Sequence, residues 1–159
     1  MSPSLYDFAK MVQLSDRAID FDAVPWVPQT DRVWFKPMRF DLARGSWVNL
    51  LKVTPGGKVN RHRHSGGQVL AYTIQGTWRY AERDWVAKPG TFVYEPPGDI
   101  HTLLVDGEEE MITLFLLEGT IQYLDDEDRL VYQDDVFTKL KLYNEYCEQH
   151  RIPYIDLTY

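Results

Sequence analysis

Cysteine is nearly absent: Cys147 stands alone in 159 residues, so no intrachain disulfide can staple this chain. A reducing, intracellular setting follows, and a cytoplasmic location is the expectation. Long apolar runs are missing too. The longest, Ile112 to Leu117, is far short of the roughly 20 residues that a membrane helix needs. Met1 to Gln13 contains Asp7 and Lys10 and no extended apolar segment, so neither a signal peptide nor a membrane partner is expected. Basic charge is scarce: 17 Lys and Arg against 24 Asp and Glu leave a formal net charge of −7. That field repels nucleic acid, and no basic stripe offsets it. Repeats, low-complexity tracts and linkers are also lacking, so one domain over 1–159 is the expectation.

Aromatics are plentiful. Ten Tyr, seven Phe and five Trp suit a thick β core or a pocket for a flat ligand. Ser4 to Val12 sets Leu5, Phe8, Ala9 and Val12 at helical spacing. From Pro25 onward the chain turns to short β-type runs: Arg32 to Phe40, Ser46 to Val53, Val69 to Ile74, Thr77 to Ala81, Trp85 to Ala87 and Thr91 to Glu95. Thr102 to Val105, Met111 to Leu117, Ile121 to Leu124 and Leu130 to Gln133 continue the series. Turn residues such as Thr54-Pro55-Gly56-Gly57 and Asp106-Gly107 separate them. This cadence predicts an all-β sandwich or barrel. Asp134 or Asp135 caps a final helix through about Gln149, with Val136, Leu140, Tyr143 and Cys147 along one side. The aromatic strand Arg32 to Phe40 is expected to need a partner surface, hence a homo-oligomer, a dimer or tetramer.

Histidines number four. His62 and His64 lie two apart in Asn60-Arg61-His62-Arg63-His64. On a strand such residues share a face, so two neutral imidazoles can converge on one ion and make half a metal site. Arg61 and Arg63 then point the opposite way. His150 falls in the polar end of the last helix and is expected at the surface.

Gly56 precedes His62 by six positions, and Gly76 closes the next strand; Gly90, Pro96, Gly98 and His101 follow in the order G-x5-P-x-G-x2-H. Together these blocks, over about 56–76 and 90–105, resemble the paired motifs of the cupin superfamily. Two positions depart from the family pattern: Val105 stands where it has Asn, and its glutamate slot falls on Gln68 or Val69. The resemblance implies an all-β double-stranded β-helix (a jelly-roll barrel), here with short terminal helices, holding a metal ion on His62, His64 and His101. Three neutral imidazoles without the glutamate leave coordination positions open for a bidentate substrate together with dioxygen. Such a site suits Fe(II), with Zn, Mn and Ni as alternatives.

A nearer likeness rests on Val33-Trp34-Phe35-Lys36-Pro37, Gly45-Ser46-Trp47, Arg61-His62-Arg63-His64-Ser65-Gly66-Gly67-Gln68, and Gly90-Thr91-Phe92-Val93-Tyr94-Glu95-Pro96-Pro97-Gly98-Asp99. These segments resemble the 2,4′-dihydroxyacetophenone dioxygenase family. That resemblance implies a non-haem iron enzyme that cuts an aryl α-hydroxyketone between its carbonyl and carbinol carbons, giving an aromatic acid and formate. The implied partners are a small aromatic ketone and O2. Alternatives are a metal-dependent non-oxidative cupin (an isomerase or hydrolase) and a non-catalytic ligand- or zinc-sensing module. Such a reaction needs a base, and a carboxylate in an apolar pocket is a reasonable one. Glu82 shares a strand face with Trp78 and Tyr80 by period-2 alternation and is the first candidate, as ligand or base. Glu95 is the second, and Gln68 is a candidate for bonding a ligand or the back of a histidine. Trp47, Tyr72, Trp78, Tyr80 and Phe115 form the pool of pocket residues.

Overall fold

The computed structural model describes residues 4, 7, 10 and 14–159. Leu5, Phe8, Ala9 and Val12, on which the expected N-terminal helix rested, lie outside the described residues. Eleven strands follow a single 3-10 turn at Phe21–Ala23: β1 Val27–Pro28, β2 Val33–Asp41, β3 Ser46–Val53, β4 Lys58–Ser65, β5 Val69–Gln75 and β6 Thr77–Tyr80, then β7 Phe92–Glu95, β8 His101–Asp106, β9 Met111–Glu118, β10 Thr120–Leu124 and β11 Leu130–Asp134. Helix α1, Val136–His150, comes last. Two antiparallel sheets result, in the orders β1-β2-β3-β9-β5-β7 and β11-β10-β4-β8-β6. This is a two-sheet jelly roll, the architecture that the resemblance implied. No helix among the described residues is long and apolar enough to cross a membrane.

Alternation makes the core. In β9, Met111, Thr113, Phe115 and Leu117 turn inward, and in β5, Val69, Ala71 and Thr73 do the same. The register sets Trp47 opposite Leu117 and Ala71 opposite Phe115 within the six-stranded sheet, and the other sheet turns Trp78, Tyr80, Leu103, Val105, Ile121 and Tyr123 inward to meet them. Aromatics on the outer face depart from this rule. Tyr72, Phe92 and Tyr94 are half exposed or more, because β5 and β7 turn Ala71, Val93 and Glu95 inward instead.

Strand and helix positions mostly follow the sequence reading, with three exceptions. Trp85 to Ala87 is a single bridge from Ala87 to Trp78 and forms no strand. Strand β2, expected to need a partner surface, finds cover within the chain for much of its length. Phe35 and Phe40 are fully buried within the chain, Phe40 packs 6.1 Å from the ring of Tyr143 on α1, and its N–H donates to Leu157 O. The helix itself turns Lys139 inward where Leu140 was expected, and Leu140 is half-buried.

Asp135 starts α1 with a capping box. Its carboxylate accepts from the Phe137 and Thr138 N–H groups, and Thr138 Oγ1 accepts from the Asp135 N–H at 2.9 Å. Asp135→Ala should cost about 1 kcal/mol of stability, a fall in Tm of roughly 2–4 °C for a chain this size. A melting curve matching the parent's would refute this account of the helix start.

Candidate metal centre

Antiparallel pairing of β4 with β8 sets His62 directly across from His101. On the other side of β4, β10 places Tyr123 opposite His62 and Ile121 opposite His64. Local register aims the ring of His62. Val59 and His62 are three apart, yet both line the barrel interior, because the pairing slips between them. Such a bulge inserts a residue and re-aims the side chains after it. From His62 the ordinary alternation carries His64 to the same face. The second motif is tied to the first by Gly98, whose N–H donates to His64 O at 2.8 Å and whose φ of +88° suits glycine.

The three imidazoles come together in the buried lumen. One ring nitrogen from each of His62, His64 and His101 lies within 4.8 Å of the others. His62 Nδ1 sits 2.7 Å from Asn60 O, and His101 Nδ1 is 3.4 Å from Asp99 Oδ2. Asp99 in turn is gripped by Arg83. These contacts hold the far nitrogens of two rings and leave their Nε2 atoms for a ligand, as outer partners of metal-binding histidines do. Burial, reinforced by the neighbouring His101 and His64, pushes His62 down to about 3. It is therefore neutral near pH 7, with a lone pair to give.

Glu95 completes the cluster from the other sheet. Its Oε2 stands 3.0 Å from His64 Nε2 and 3.5 Å from His101 Nε2. Neither approach has hydrogen-bond alignment: Glu95 Oε2 and His101 Nε2 are buried without a hydrogen-bond partner, as is His64 Nδ1. The opposite oxygen, Oε1, accepts a short hydrogen bond from Tyr80 OH. Burial alone would raise the Glu95 carboxyl, but the facing imidazoles of His101 and His64 outweigh it and hold the group below its ordinary range. Tyr80 shifts the other way, its hydroxyl pushed well up by burial and by Glu95, so it keeps its proton. Its ring stacks on His101 at 3.7 Å and 4°, fixing the imidazole plane.

Buried polar atoms without partners call for a physical cause. A divalent cation supplies one: three imidazole nitrogens and a carboxylate oxygen converge where protein donors do not satisfy them. The residues present fit such an ion.

The structure brings together some of the expected site residues and not others. His62, His64, Glu95, Trp47, Tyr80 and Phe115 line one lumen cavity, joined by Gln29, Asn49, Tyr123 and Lys139, which the sequence reading did not single out. Glu82 is elsewhere. Strand β6 ends at Tyr80, and the Arg83 N–H closes a turn onto Tyr80 O, so alternation no longer governs Glu82. Its carboxylate accepts from the Thr102 N–H at 2.8 Å and lies 3.4 Å from Arg61, with 26% of its side chain exposed. Gln68 is exposed beyond the end of β4, and Tyr72 faces outward. Trp78 is buried beneath the lumen wall, donating Nε1–H to Thr73 Oγ1 at 2.8 Å. Arg61 and Arg63 do turn away from the cluster, to Asp128 and Gln122, and His150 is exposed.

Comparison with known proteins agrees with this architecture. A family model described as the ChrR cupin-like domain matches residues 14–125. A crystal structure of an RmlC-like cupin protein from Ralstonia eutropha JMP134 is 33% identical, covering 98% of this chain and 99% of that one at a TM-score of 0.86. A second protein from that organism, of unknown function and cupin-like fold, is 21% identical over 93% of this chain and 99% of its own, at a TM-score of 0.79. An acetylacetone dioxygenase from Acinetobacter johnsonii superposes at a TM-score of 0.72 with 12% identity, covering 84% of this chain and 93% of its own; that likeness is one of fold. No curated protein matches the sequence.

Proposed function

The chain belongs to the ChrR cupin-like family, and from that premise we propose that it is a non-haem iron dioxygenase. In this reading it cleaves the C–C bond of a small α-hydroxyketone, of the kind exemplified by 2,4′-dihydroxyacetophenone. One observation carries the reading: three buried imidazoles with a buried carboxylate beside them, in a lumen that also opens toward a groove. The fold shared with an acetylacetone dioxygenase, which acts on another oxygen-chelating ketone, supports it.

His62, His64 and His101 would hold the ion, with Glu95 placed as a further ligand or as the base. Bound there, iron supplies Lewis-acid polarisation of oxygen ligands and the redox chemistry of dioxygen. The chain's own residues do the rest. Glu95, ionised, accepts the proton of a substrate hydroxyl made acidic by coordination. Tyr80, donating to Oε1, keeps the other oxygen of Glu95 turned toward the cluster. Leu51, Leu103, Phe115 and Leu117 wall the lumen and exclude bulk water. The balance is one O2 per ketone: the bond between carbonyl and carbinol carbons breaks, and each fragment gains one oxygen, giving a carboxylic acid and formate.

The lumen alone offers about 50 Å³ to the centres of water molecules, room for about three or four waters. The adjoining groove adds about 500 Å³ and shares Gln29, Val59, Tyr123 and Lys139 with it, so the chelating end of a ketone fits inside while a ring extends toward the groove. Iron-loaded protein with 2,4′-dihydroxyacetophenone should consume O2 and release formate in equal amounts. Metal-replete protein that is inert toward α-hydroxyketones, or that turns them over without O2, would overturn the proposal.

A further inference from the structure

The proposed reaction gives Lys139 nothing to do, yet the fold goes to some length to bury it. On α1 it lies between Val136 and Tyr143 on the core-facing side and is 2% exposed. An ammonium taken out of water costs several kcal/mol unless it is paired, and a leucine would fill this position without that cost. Nζ donates to Gln29 Oε1 at 2.5 Å, stands 3.0 Å from Asp134 Oδ2 and lies 5.1 Å over the Phe35 ring. Burial lowers the ammonium's pKa, and the Asp134 carboxylate works against that shift. Two of its three donors are used.

Location gives the third donor a purpose. Lys139 is in the wall of the cavity that holds His62, His64 and Glu95, and also in the wall of the outer groove. A molecule passing from groove to lumen therefore meets its ammonium. Trp47 Nε1 lines the same lumen, buried and without a partner. Both an indole N–H and an ammonium are donors only. What satisfies the two together is a group with acceptors only and a negative charge, which describes a carboxylate.

We propose that Lys139 is a specificity-determining residue that selects a substrate carrying a carboxylate, its third donor meeting the ligand in competition with the pull of Asp134 while Trp47 Nε1 supplies a second hydrogen bond. The substrate class becomes an oxygenated keto acid. Only the keto half of that statement rests on the proposed dioxygenase reaction.

The test uses the full chain after chelator treatment, so it does not depend on metal or turnover. Calorimetric titration with benzoate and with its neutral isostere benzamide should show benzoate binding at least about tenfold tighter, the effect of one hydrogen bond to a charged group. Lys139→Met should abolish the difference, and Lys139→Arg should restore most of it. Asp134→Asn, which removes the competing anion and keeps an acceptor for Thr138 Oγ1, should tighten benzoate and leave benzamide unchanged. Equal affinity for the two probes on the parent protein overturns the proposal. So does discrimination that survives Lys139→Met, or an Asp134→Asn variant that binds benzoate no better, and that last comparison decides if the methionine variant does not fold. Oxygen uptake with a neutral hydroxyketone on metal-loaded protein tests the reaction separately.

Discussion

Replacing His101 with alanine is expected to abolish metal retention: protein purified from iron-replete medium should contain close to no metal, where the parent is expected to hold one ion per chain. The expectation follows from geometry. His101 supplies one of only three imidazole nitrogens among the described residues that converge on one point, and its Nε2 has no protein partner to compete for it. Removing it leaves two imidazoles on β4 with the Glu95 carboxylate, and Glu95 loses one of the two rings that face it. His62→Ala should behave alike, and it leaves the Tyr80 stack on His101 in place, separating ligand loss from any loosening of that pair. Elemental analysis decides. Near-parental metal content in either variant would remove the centre from this region of the molecule.

How much of this centre was legible in the sequence depends on how far each residue sits from a break in regular geometry. The spacing of His62, His64 and His101 survives because antiparallel pairing of β4 and β8 converts it directly into convergence. Strand β9 reads cleanly for the same reason, its alternating burial being unbroken. Glu82 misled because period-2 alternation was extended two residues past Tyr80, where a turn had already ended the strand. Glu95 stood second because it directly precedes Pro96-Pro97 and reads equally as a turn residue, and a hydrophobic pattern would send its neighbours Phe92 and Tyr94 inward. The strand does the reverse and spends two large aromatics on the outer face so that one carboxylate can reach the histidines. A local pattern contradicted at a single position is where function is expected to override folding preference. Lys139 carries the same signal on a helix. It stands three residues after Val136 and four before Tyr143, a buried spacing that the sequence reading assigned to Leu140, four residues after Val136.

Glu95→Gln should lower turnover by about 10²- to 10⁴-fold, the range for loss of a positioned proton acceptor, while leaving metal content unchanged. The side chains have nearly the same volume, and the amide brings no charge into the lumen, so the buried position should tolerate the change. What disappears is the ionised oxygen 3.0 Å from His64 Nε2 and the strong acceptor that Tyr80 OH addresses. Tyr80→Phe provides the graded control. It keeps the carboxylate and the ring stacked on His101 but strips the donor from Oε1, so Glu95 remains competent and is less well aimed. A smaller loss is expected there, felt in kcat more than in KM. Measuring metal and turnover together separates the two roles open to Glu95. Loss of the ion along with activity in Glu95→Gln would make it a ligand, a full ion with little activity would make it the base, and activity within a few-fold of the parent would exclude both. Since Oε2 faces two imidazoles and has no aligned hydrogen bond of its own, the geometry favours the base.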